Sequence, residues 1–344
     1  MVEDLPGVQL KTGETMQVKR VVAPDDDWGP RLVHFMYVRT SDYTNCNWHH
    51  NCVRVLNGDY ADVSHDVFFV GLLDGEIVGT SWYGAPRDTM DVATYGRIIT
   101  REDQRRKGIA AALCALPVEE FRAAGGQAMY LGTGRTNPAR FIYEQLGFVH
   151  YNYIENAGTI MRLIFSGDAD AFEAEYYEPR RSTEVRSIHA GDLARAEVLY
   201  NLPLWAVKDS FLGIMYNAPF EGQFFDIVAH IEKEGEGGMA LVTGGRQRLM
   251  GMAYTAKAPA WQVGQTHLRY IEFLVHPNYV DYGAELLRET EAASSAEVFI
   301  ARLAEADEDK VAVVAEAGYR QVGRLLGAIR SQHSATDMLI YQKG

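Results

Sequence analysis

TYGRIITREDQRRKGIAAALCALPVEEF (residues 94–121) and QAMYLGTGRTNPARFIYEQLGF (residues 127–148) are the two stretches that decide the fold. Their pattern predicts, in order, a strand, a basic loop, a helix, a second strand and a short helix. A helix N-terminus leaves about four backbone N–H groups unpaired and carries roughly half a positive charge. Gly108 keeps that end of the helix open, and the three residues before it add cationic charge: Arg105, Arg106 and Lys107. The loop is therefore a candidate binding site for a phosphate or pyrophosphate.

The basic loop belongs to an acidic chain. The 344 residues include 46 Asp and Glu against 33 Lys and Arg, a formal net charge of −13. Such a charge repels nucleic acid and favours cationic small molecules, so no nucleic-acid partner is expected. The first residues lack a basic segment followed by an apolar one, and no run of about 18 apolar residues could span a bilayer. Three cysteines cannot all pair within one chain, so we expect a cytoplasmic protein without membrane contact.

The length predicts two domains of roughly 150 to 170 residues each. The acidic segment SGDADAFEAEYYEPRRS interrupts the alternation of strands and helices, so we place the domains at 1–165 and 183–344, with a linker at 166–182. A shift of about 172 residues aligns Gly79 with Gly251, and the pair Gly147 and Phe148 with Gly318 and Tyr319. The two halves are therefore predicted to be homologous.

Two motifs resemble the GCN5-related N-acetyltransferase (GNAT) superfamily. Its CoA-binding signature is Gln or Arg, any two residues, Gly, any one residue, then Gly or Ala, which matches Arg105, Gly108 and Ala110. The second motif is formed by Asn137, Tyr143, Gly147 and Phe148. The resemblance covers the first domain. With the repeat, it implies an α+β fold of two tandem GNAT domains, each a mixed, mostly antiparallel twisted sheet flanked by helices.

The resemblance also implies roles for individual residues. Backbone groups of the strand end would pair with the pantetheine arm of acetyl-CoA, and amides at the helix start would hold its pyrophosphate. Asn137 and Tyr143 would lie beside the thioester as catalytic residues, with the tyrosine hydroxyl protonating the departing thiolate, a feasible role for a phenol. The cofactor-binding residues implied are Ile98, Ile99, Thr100, Arg105, Arg106, Lys107, Gly108, Ile109, Ala110, Ala111, Asn137 and Tyr143. Alternatively, the basic residues before Gly108 form only the solvated start of an amphipathic helix, and Tyr143 only packs the short helix.

The second half of the chain has the same predicted order of strands and helices, but the residues of the two motifs are replaced. Val280 stands where Arg105 does, Glu285 where Ala110 does, and Val314 replaces Tyr143. A carboxylate at the anion site would repel phosphate. This favours a degenerate domain that supports the first. The alternative is that it binds the acceptor or a second acyl-CoA, while acetyl-CoA in the first domain is structural.

Two further motifs carry weaker signals. Cys46, His49, His50 and Cys52 have the right chemistry for zinc, but four tetrahedral ligands would have to come from seven residues, so no metal is expected. The same region offers acceptor-side candidates: Tyr43, Trp48, His49 and His50. GTGRTN lacks the third glycine of a dinucleotide-binding fingerprint, which argues against an oxidoreductase.

These observations predict an acetyl-CoA-dependent acyltransferase that transfers its acyl group directly to a small-molecule amine. No general base is identified, and Glu102, Asp91, His49 and His50 are the candidates. Ala-rich and Arg-rich helices in a two-domain layout resemble tandem GNAT proteins of antibiotic and specialised-metabolite biosynthesis, including that of the clavulanic acid pathway. The alternative function is a non-catalytic acyl-CoA-binding protein. A monomer or homodimer is expected.

Overall fold

The structure, a computed structural model, describes residues 1–39, 47–154, 158–179, 182–206, 208–210, 213–215, 220–257, 266–330 and 335–344. The structure describes the side chains of all residues except those in the ranges 37–51, 153–157, 180–181, 207–223, 258–265 and 330–334. The chain divides into two compact units. Unit 1 comprises Met1–Phe172 and Ala190–Arg195, and unit 2 comprises Glu173–His189 and Ala196–Gly344. The division falls inside the segment predicted as a linker, which contains a helix, Ala169–Tyr176.

Unit 1 is built on one sheet of eight strands. The strands are β1 (Val2–Gln9), β2 (Thr15–Val22), β3 (Ser64–Leu73), β4 (Glu76–Pro86), β5 (Val92–Thr100), β6 (Ala128–Gly134), β7 (Val149–Ile154) and β8 (Gly158–Ile164). Their order in the sheet is β1-β2-β3-β4-β5-β6-β8-β7. Each neighbouring pair is antiparallel except β5 and β6, which run parallel.

Five helices accompany this sheet in sequence: α1 (Trp28–Arg39), α2 (Asn47–Asn57), α3 (Ile109–Ala123), α4 (Arg140–Gln145) and α5 (Ala169–Tyr176). The parallel pair of strands requires a crossover, and α3 provides it. Leu113 and Phe121 of α3 pack with Phe69 and Tyr95 of the sheet in one buried apolar cluster. Phe68 points to the opposite face, as alternation along a strand requires, and contacts Trp82. The hydrophobic pattern thus fixes which face of each strand meets α3.

Unit 2 is built on a sheet of seven strands. They are β9 (Thr183–Ser187), β12 (Gly238–Thr243), β13 (Leu249–Lys257), β14 (Leu268–Val275), β15 (Val298–Ala304), β16 (Arg320–Arg330) and β17 (Ala335–Lys343), and β10 (Lys208–Ser210) pairs with β11 (Gly213–Met215) separately. The helices assigned in sequence are α6 (Leu193–Tyr200), α7 (Phe220–Glu234), α8 (Gly283–Ala292) and α9 (Glu308–Glu316). The order is β16-β17-β15-β14-β13-β12-β9, and only β14 and β15 are parallel.

The two sheets share one connectivity. Read from the other edge, unit 2 repeats the order of unit 1 from β2 onward, with a parallel pair at the same place. Each sheet is mixed and mostly antiparallel, with helices against it. The predicted α+β fold class, two such sheets flanked by helices, is confirmed.

Candidate functional site

Strands β5 and β6 diverge in the middle of the sheet. Their parallel ladder consists of three pairs and ends at Thr94 with Tyr130. Beyond it β5 stays paired with β4 on its other side, as far as Thr100 with Gly79, while β6 stays paired with β8. The strand end Ile98–Thr100 therefore has a backbone edge that faces the gap between β5 and β6.

A β-bulge in β5 accounts for the divergence. The register with β4 shifts between Thr80 and Trp82, and Arg97 on the bulged strand has a left-handed φ of 52°. The buried Thr80 hydroxyl donates a hydrogen bond of 2.9 Å to the Arg97 carbonyl, which holds this conformation. A bulge bends its strand and increases the local twist. It therefore turns the end of β5 away from β6.

The predicted anion-binding loop, Arg105–Gly108, follows this strand end after a short 3-10 helix. Arg106 and Gly108 have left-handed φ values of 69° and 95°, a backbone conformation of the kind that forms anion-binding concavities. The first intrahelical bond of α3 runs from the Ala112 N–H to the Gly108 carbonyl. The N–H groups that precede it, on Ile109, Ala110 and Ala111, have no acceptor within the helix. The backbone is thus prepared to bind an anion.

The cationic side chains of this loop are not equally available. Lys107 Nζ forms an ion pair of 2.8 Å with Glu14, whereas Arg105 lies 3.4 Å from Glu102 and is 61% exposed. Arg106 is exposed. Lys107 can therefore reach a ligand phosphate only by leaving Glu14. The sequence could not reveal this pair, because the two residues are far apart in the chain.

Two polar atoms beside the loop are buried without a hydrogen-bond partner in the described part of the chain. They are Thr100 Oγ1, at the end of β5, and Gln104 Oε1, in a short 3-10 helix, Glu102–Gln104. A buried polar group that lacks a hydrogen bond costs free energy. A polar ligand at the strand end would supply the missing partners. Gln104 was not among the predicted site residues, and its position just before the CoA-binding signature was the signal that could have found it.

Tyr143 lies on α4, which follows the divergent end of β6. The side chain is 5% exposed, and its ring packs edge-on against Tyr95, with centroids 6.0 Å apart. Burial, reinforced by the nearby Cys114 thiol, raises the pKa of the Tyr143 hydroxyl well above its ordinary value. A phenol is protonated at neutral pH even at its ordinary pKa of about 10, and burial maintains this state, which a general acid requires.

Asn137 is exposed in the loop between β6 and α4. Its Oδ1 accepts a hydrogen bond of 3.0 Å from the Ala139 N–H, so the amide oxygen is committed to the loop. The amide nitrogen is the part of the side chain that remains for a ligand. Of the remaining predicted residues, Ile98 and Ile99 are half-buried on β5, and Ile109 is buried in α3.

The candidate bases lie in different places. Asp91 immediately precedes β5, at the opposite end from Thr100 and roughly 30 Å away at the usual rise of a strand. Glu102 is exposed near the loop.

The described side chains do not include those of Tyr43, Cys46, Trp48, His49 and His50. Cys52 is buried beside Met36. Among the described side chains, no three metal-ligating groups cluster.

Unit 2 differs at the equivalent loop. A 3-10 helix, Pro277–Tyr282, runs straight into α8, and Gly283 has a right-handed φ of −62°. His276 stacks on Tyr177, with ring centroids 4.0 Å apart, and burial lowers its pKa to about 4. Asn278 donates a hydrogen bond of 2.8 Å to the Tyr177 carbonyl. The segment around Tyr177 therefore covers the place where unit 1 has an open loop.

The parallel strands of unit 2 also diverge, but a charged pair lies beside the gap. Their ladder ends at Tyr270 with Ile300. Lys310 of α9 forms a buried ion pair with Glu272 of β14, two residues beyond the last pair. Val314, at the position of Tyr143, is fully buried.

The comparisons with known proteins agree with this geometry. A family profile described as Acetyltransferase (GNAT) family matches residues 33–148, which contain the gap, the anion-binding loop and α4. Over these residues unit 1 is therefore similar to the GNAT acetyltransferase family. The comparison with curated proteins finds no match.

Solved GNAT structures align with the chain over a little under half of its length. The phosphinothricin acetyltransferase of Sinorhizobium meliloti, solved with acetyl-CoA, is 17% identical, with 47% of this chain and 87% of that chain covered and a TM-score of 0.41. YncA of Salmonella typhimurium, solved with its cofactor acetyl-CoA, is 14% identical, with 47% and 92% covered and a TM-score of 0.39. The GNAT domain of S. lividans PAT is 19% identical, with 46% and 96% covered and a TM-score of 0.38. The similarity to the GNAT family rests on the sequence match at residues 33–148.

No described helix is long and apolar enough to cross a membrane.

Proposed function

We propose that the protein is an acetyl-CoA-dependent N-acetyltransferase acting on a small-molecule amine, in antibiotic or specialised-metabolite biosynthesis. The observation that carries the proposal is the divergence of β5 and β6 beside an open helix N-terminus, inside the segment that matches the GNAT family. The acetyl-CoA bound to two of the solved relatives supports the choice of cosubstrate.

The residues present fit this cosubstrate. The backbone edge of Ile98–Thr100 offers N–H and C=O groups to the pantetheine amides, as a neighbouring strand would. The amides of Ile109, Ala110 and Ala111 would hold the pyrophosphate at the positive end of the α3 dipole. The buried Thr100 Oγ1 would gain a hydrogen-bond partner. Together these groups match an extended chain that ends in phosphates.

The chemistry follows from three groups of the chain. When bound, acetyl-CoA supplies an activated acetyl thioester. A backbone N–H near Ile99 would stabilise negative charge on its carbonyl oxygen. Tyr143, held protonated by burial, would donate its proton to the departing thiolate sulfur. Asn137 would position the reacting group through its amide nitrogen. Transfer to the amine is direct: the neutral amine nitrogen attacks the thioester carbonyl, the C–S bond breaks without a covalent enzyme intermediate, and a base or a water chain accepts the proton that the amine loses.

We assign the cosubstrate to unit 1 alone, and unit 2 to a degenerate second GNAT-like domain. Glu285 in the first turn of α8, the covering contact between Tyr177 and His276, and the buried pair of Lys310 with Glu272 all support this assignment. The shared strand order supports a tandem duplication as the origin of the two units.

The test is a binding and turnover experiment on the full chain. Calorimetry with acetyl-CoA should show binding, and a thiol-release assay with a panel of small amines should show acetyl-CoA consumption dependent on one of them. Absence of acetyl-CoA binding would overturn the proposal. Tight binding without turnover on any amine would favour the acyl-CoA-binding protein, in which acetyl-CoA is structural.

A further inference from the structure

The turn between β1 and β2, Leu10–Glu14, docks on the anion-binding loop. The Lys11 N–H donates a hydrogen bond of 3.2 Å to the Lys107 carbonyl. Glu14 Oε2 accepts bonds from Lys107 Nζ at 2.8 Å and from the Thr12 hydroxyl at 2.6 Å. A turn far away in sequence is thereby fixed against the start of α3.

The side chain of Lys11 runs past Gly108. Its Cγ, Cδ and Cε lie 3.4, 3.7 and 3.7 Å from where a Cβ of Gly108 would be. The aliphatic part of the Lys11 side chain therefore lies against the loop at Gly108. Among the described residues, no carboxylate lies within ion-pairing distance of Lys11.

We propose that Lys11 is a cofactor-binding residue whose ammonium contacts a phosphate of acetyl-CoA. The inference rests on the proposed function and adds a residue outside the family match, which begins at residue 33. Glu14 pairs with Lys107, and Glu102 lies 3.4 Å from Arg105, so two of the three cations of the loop have internal partners. Lys11 restores a positive charge beside the same helix N-terminus, where an anion would lie.

A second observation points to a ligand at this loop. Thr100 Oγ1 and Gln104 Oε1, on the segment leading into it, are buried and lack partners in the described part of the chain. Buried polar atoms of this kind are satisfied by a bound molecule or water. Both atoms belong to the segment between the end of β5 and the loop against which Lys11 lies.

Lys11→Gln in the full chain tests the inference, with Lys19→Gln as the control. Lys19 lies on the same hairpin but pairs with Asp4, so the control removes an equal charge away from the loop. Calorimetry should show about 3- to 10-fold weaker acetyl-CoA binding for Lys11→Gln, the range of one partly solvated charge pair. Lys19→Gln should bind like the wild type.

Two analogues identify the phosphate. If Lys11→Gln leaves 3′-dephospho-acetyl-CoA binding unchanged, the contact is with the 3′-phosphate, and an equal loss for both ligands assigns the pyrophosphate. The affinity for S-acetylpantetheine, which carries neither group, should not change. Equal acetyl-CoA affinity of Lys11→Gln and the wild type overturns the inference while leaving the proposed function intact. If the wild type binds no acetyl-CoA, the proposed function itself fails.

Glu14→Gln is a second, opposite test. It removes a negative charge from the loop and releases Lys107, so acetyl-CoA affinity should rise by about 2- to 5-fold, the range of an exposed charge pair. Thermal unfolding of each variant confirms that the hairpin still folds. Weaker binding by a folded Glu14→Gln variant would contradict the charge distribution on which the inference depends.

Discussion

At the scale of single residues, Tyr143 is a buried side chain with a proposed role as general acid. Tyr143→Phe removes one hydroxyl and leaves the ring to pack against Tyr95. Positioned proton transfer typically contributes about 10² to 10⁴ in rate, so kcat should fall by that range, toward its lower end if water substitutes as donor. Affinity for acetyl-CoA should change little. Steady-state kinetics and calorimetry on the same preparation measure both.

Tyr95→Phe is the matched control for this change. Tyr95 donates a hydrogen bond of 3.1 Å to the Cys114 carbonyl, so its loss should lower stability and leave kcat nearly unchanged. If Tyr143→Phe retains kcat within about twofold with the fold intact, Tyr143 is not the general acid.

Gly108 tests the backbone of the anion-binding loop. With φ at 95°, an alanine there would be strained by about 1–2 kcal/mol. Gly108→Ala should therefore lower both the stability and the affinity for acetyl-CoA. Gly125, at the other end of α3, has φ of 88° and open space around it. Gly125→Ala should lower stability alone, and an equal loss of affinity in both variants would place the loop outside the cosubstrate site.

At the scale of elements, a proline inside α3 is compensated by a strand. Pro117 has no N–H, so the Leu113 carbonyl lacks its helical partner. The buried Ser81 hydroxyl of β4 donates to that carbonyl at 2.7 Å. Ser81 thus joins the helix to the sheet directly beneath the candidate site.

The energetic prediction for this contact uses a double-mutant cycle. Ser81→Ala should lower the free energy of unfolding by about 1–3 kcal/mol, because a buried carbonyl loses its donor. In a Pro117→Ala background the helix supplies the missing N–H, so the same change should cost less. Urea denaturation of the four proteins measures the coupling. Equal costs in both backgrounds would refute the compensation.

Among the elements around the candidate site, the sequence predicts α3 and β5 but not the gap between β5 and β6. The residue pattern predicts a helix at the start of α3 and a β-branched strand at β5, and the structure has both elements. The gap arises from a bulge at Arg97 that depends on the Thr80 hydroxyl of another strand, so it could not be predicted from the local sequence. No local pattern specifies a contact between strands.

At the scale of the whole molecule, the two units should differ in binding. One acetyl-CoA per chain is expected in native mass spectrometry, because unit 2 lacks the open loop and has Glu285 in its place. Gly108→Glu should remove this single equivalent by placing a carboxylate against the phosphates. One remaining equivalent in that variant, or two in the wild type, would show that unit 2 binds an acyl-CoA.

The whole molecule should lose stability in alkali. Burial is the main cause that raises the pKa of Tyr83, Tyr95, Tyr143 and Tyr319 above the unfolded value of about 10. Above that pH the unfolded chain releases these protons and the folded chain holds them, so unfolding becomes easier as pH rises further. Below about pH 10 these groups should have no such effect. Urea unfolding across pH 8 to 11 checks the sign, and Tyr319→Phe should reduce the slope.

The sequence by itself determined the periodic and local features of this protein. Alternating apolar residues specified the strands, a 3.6-residue period specified α3, and the Arg105–Gly108 loop predicted an anion site, because each depends on neighbours in the chain. The tertiary structure alone decided that Glu14 neutralises Lys107, that Lys11 runs past Gly108, and that Tyr177 covers the loop of unit 2. Those contacts join residues distant in sequence, and the sheet and its turns bring them together only when the chain folds.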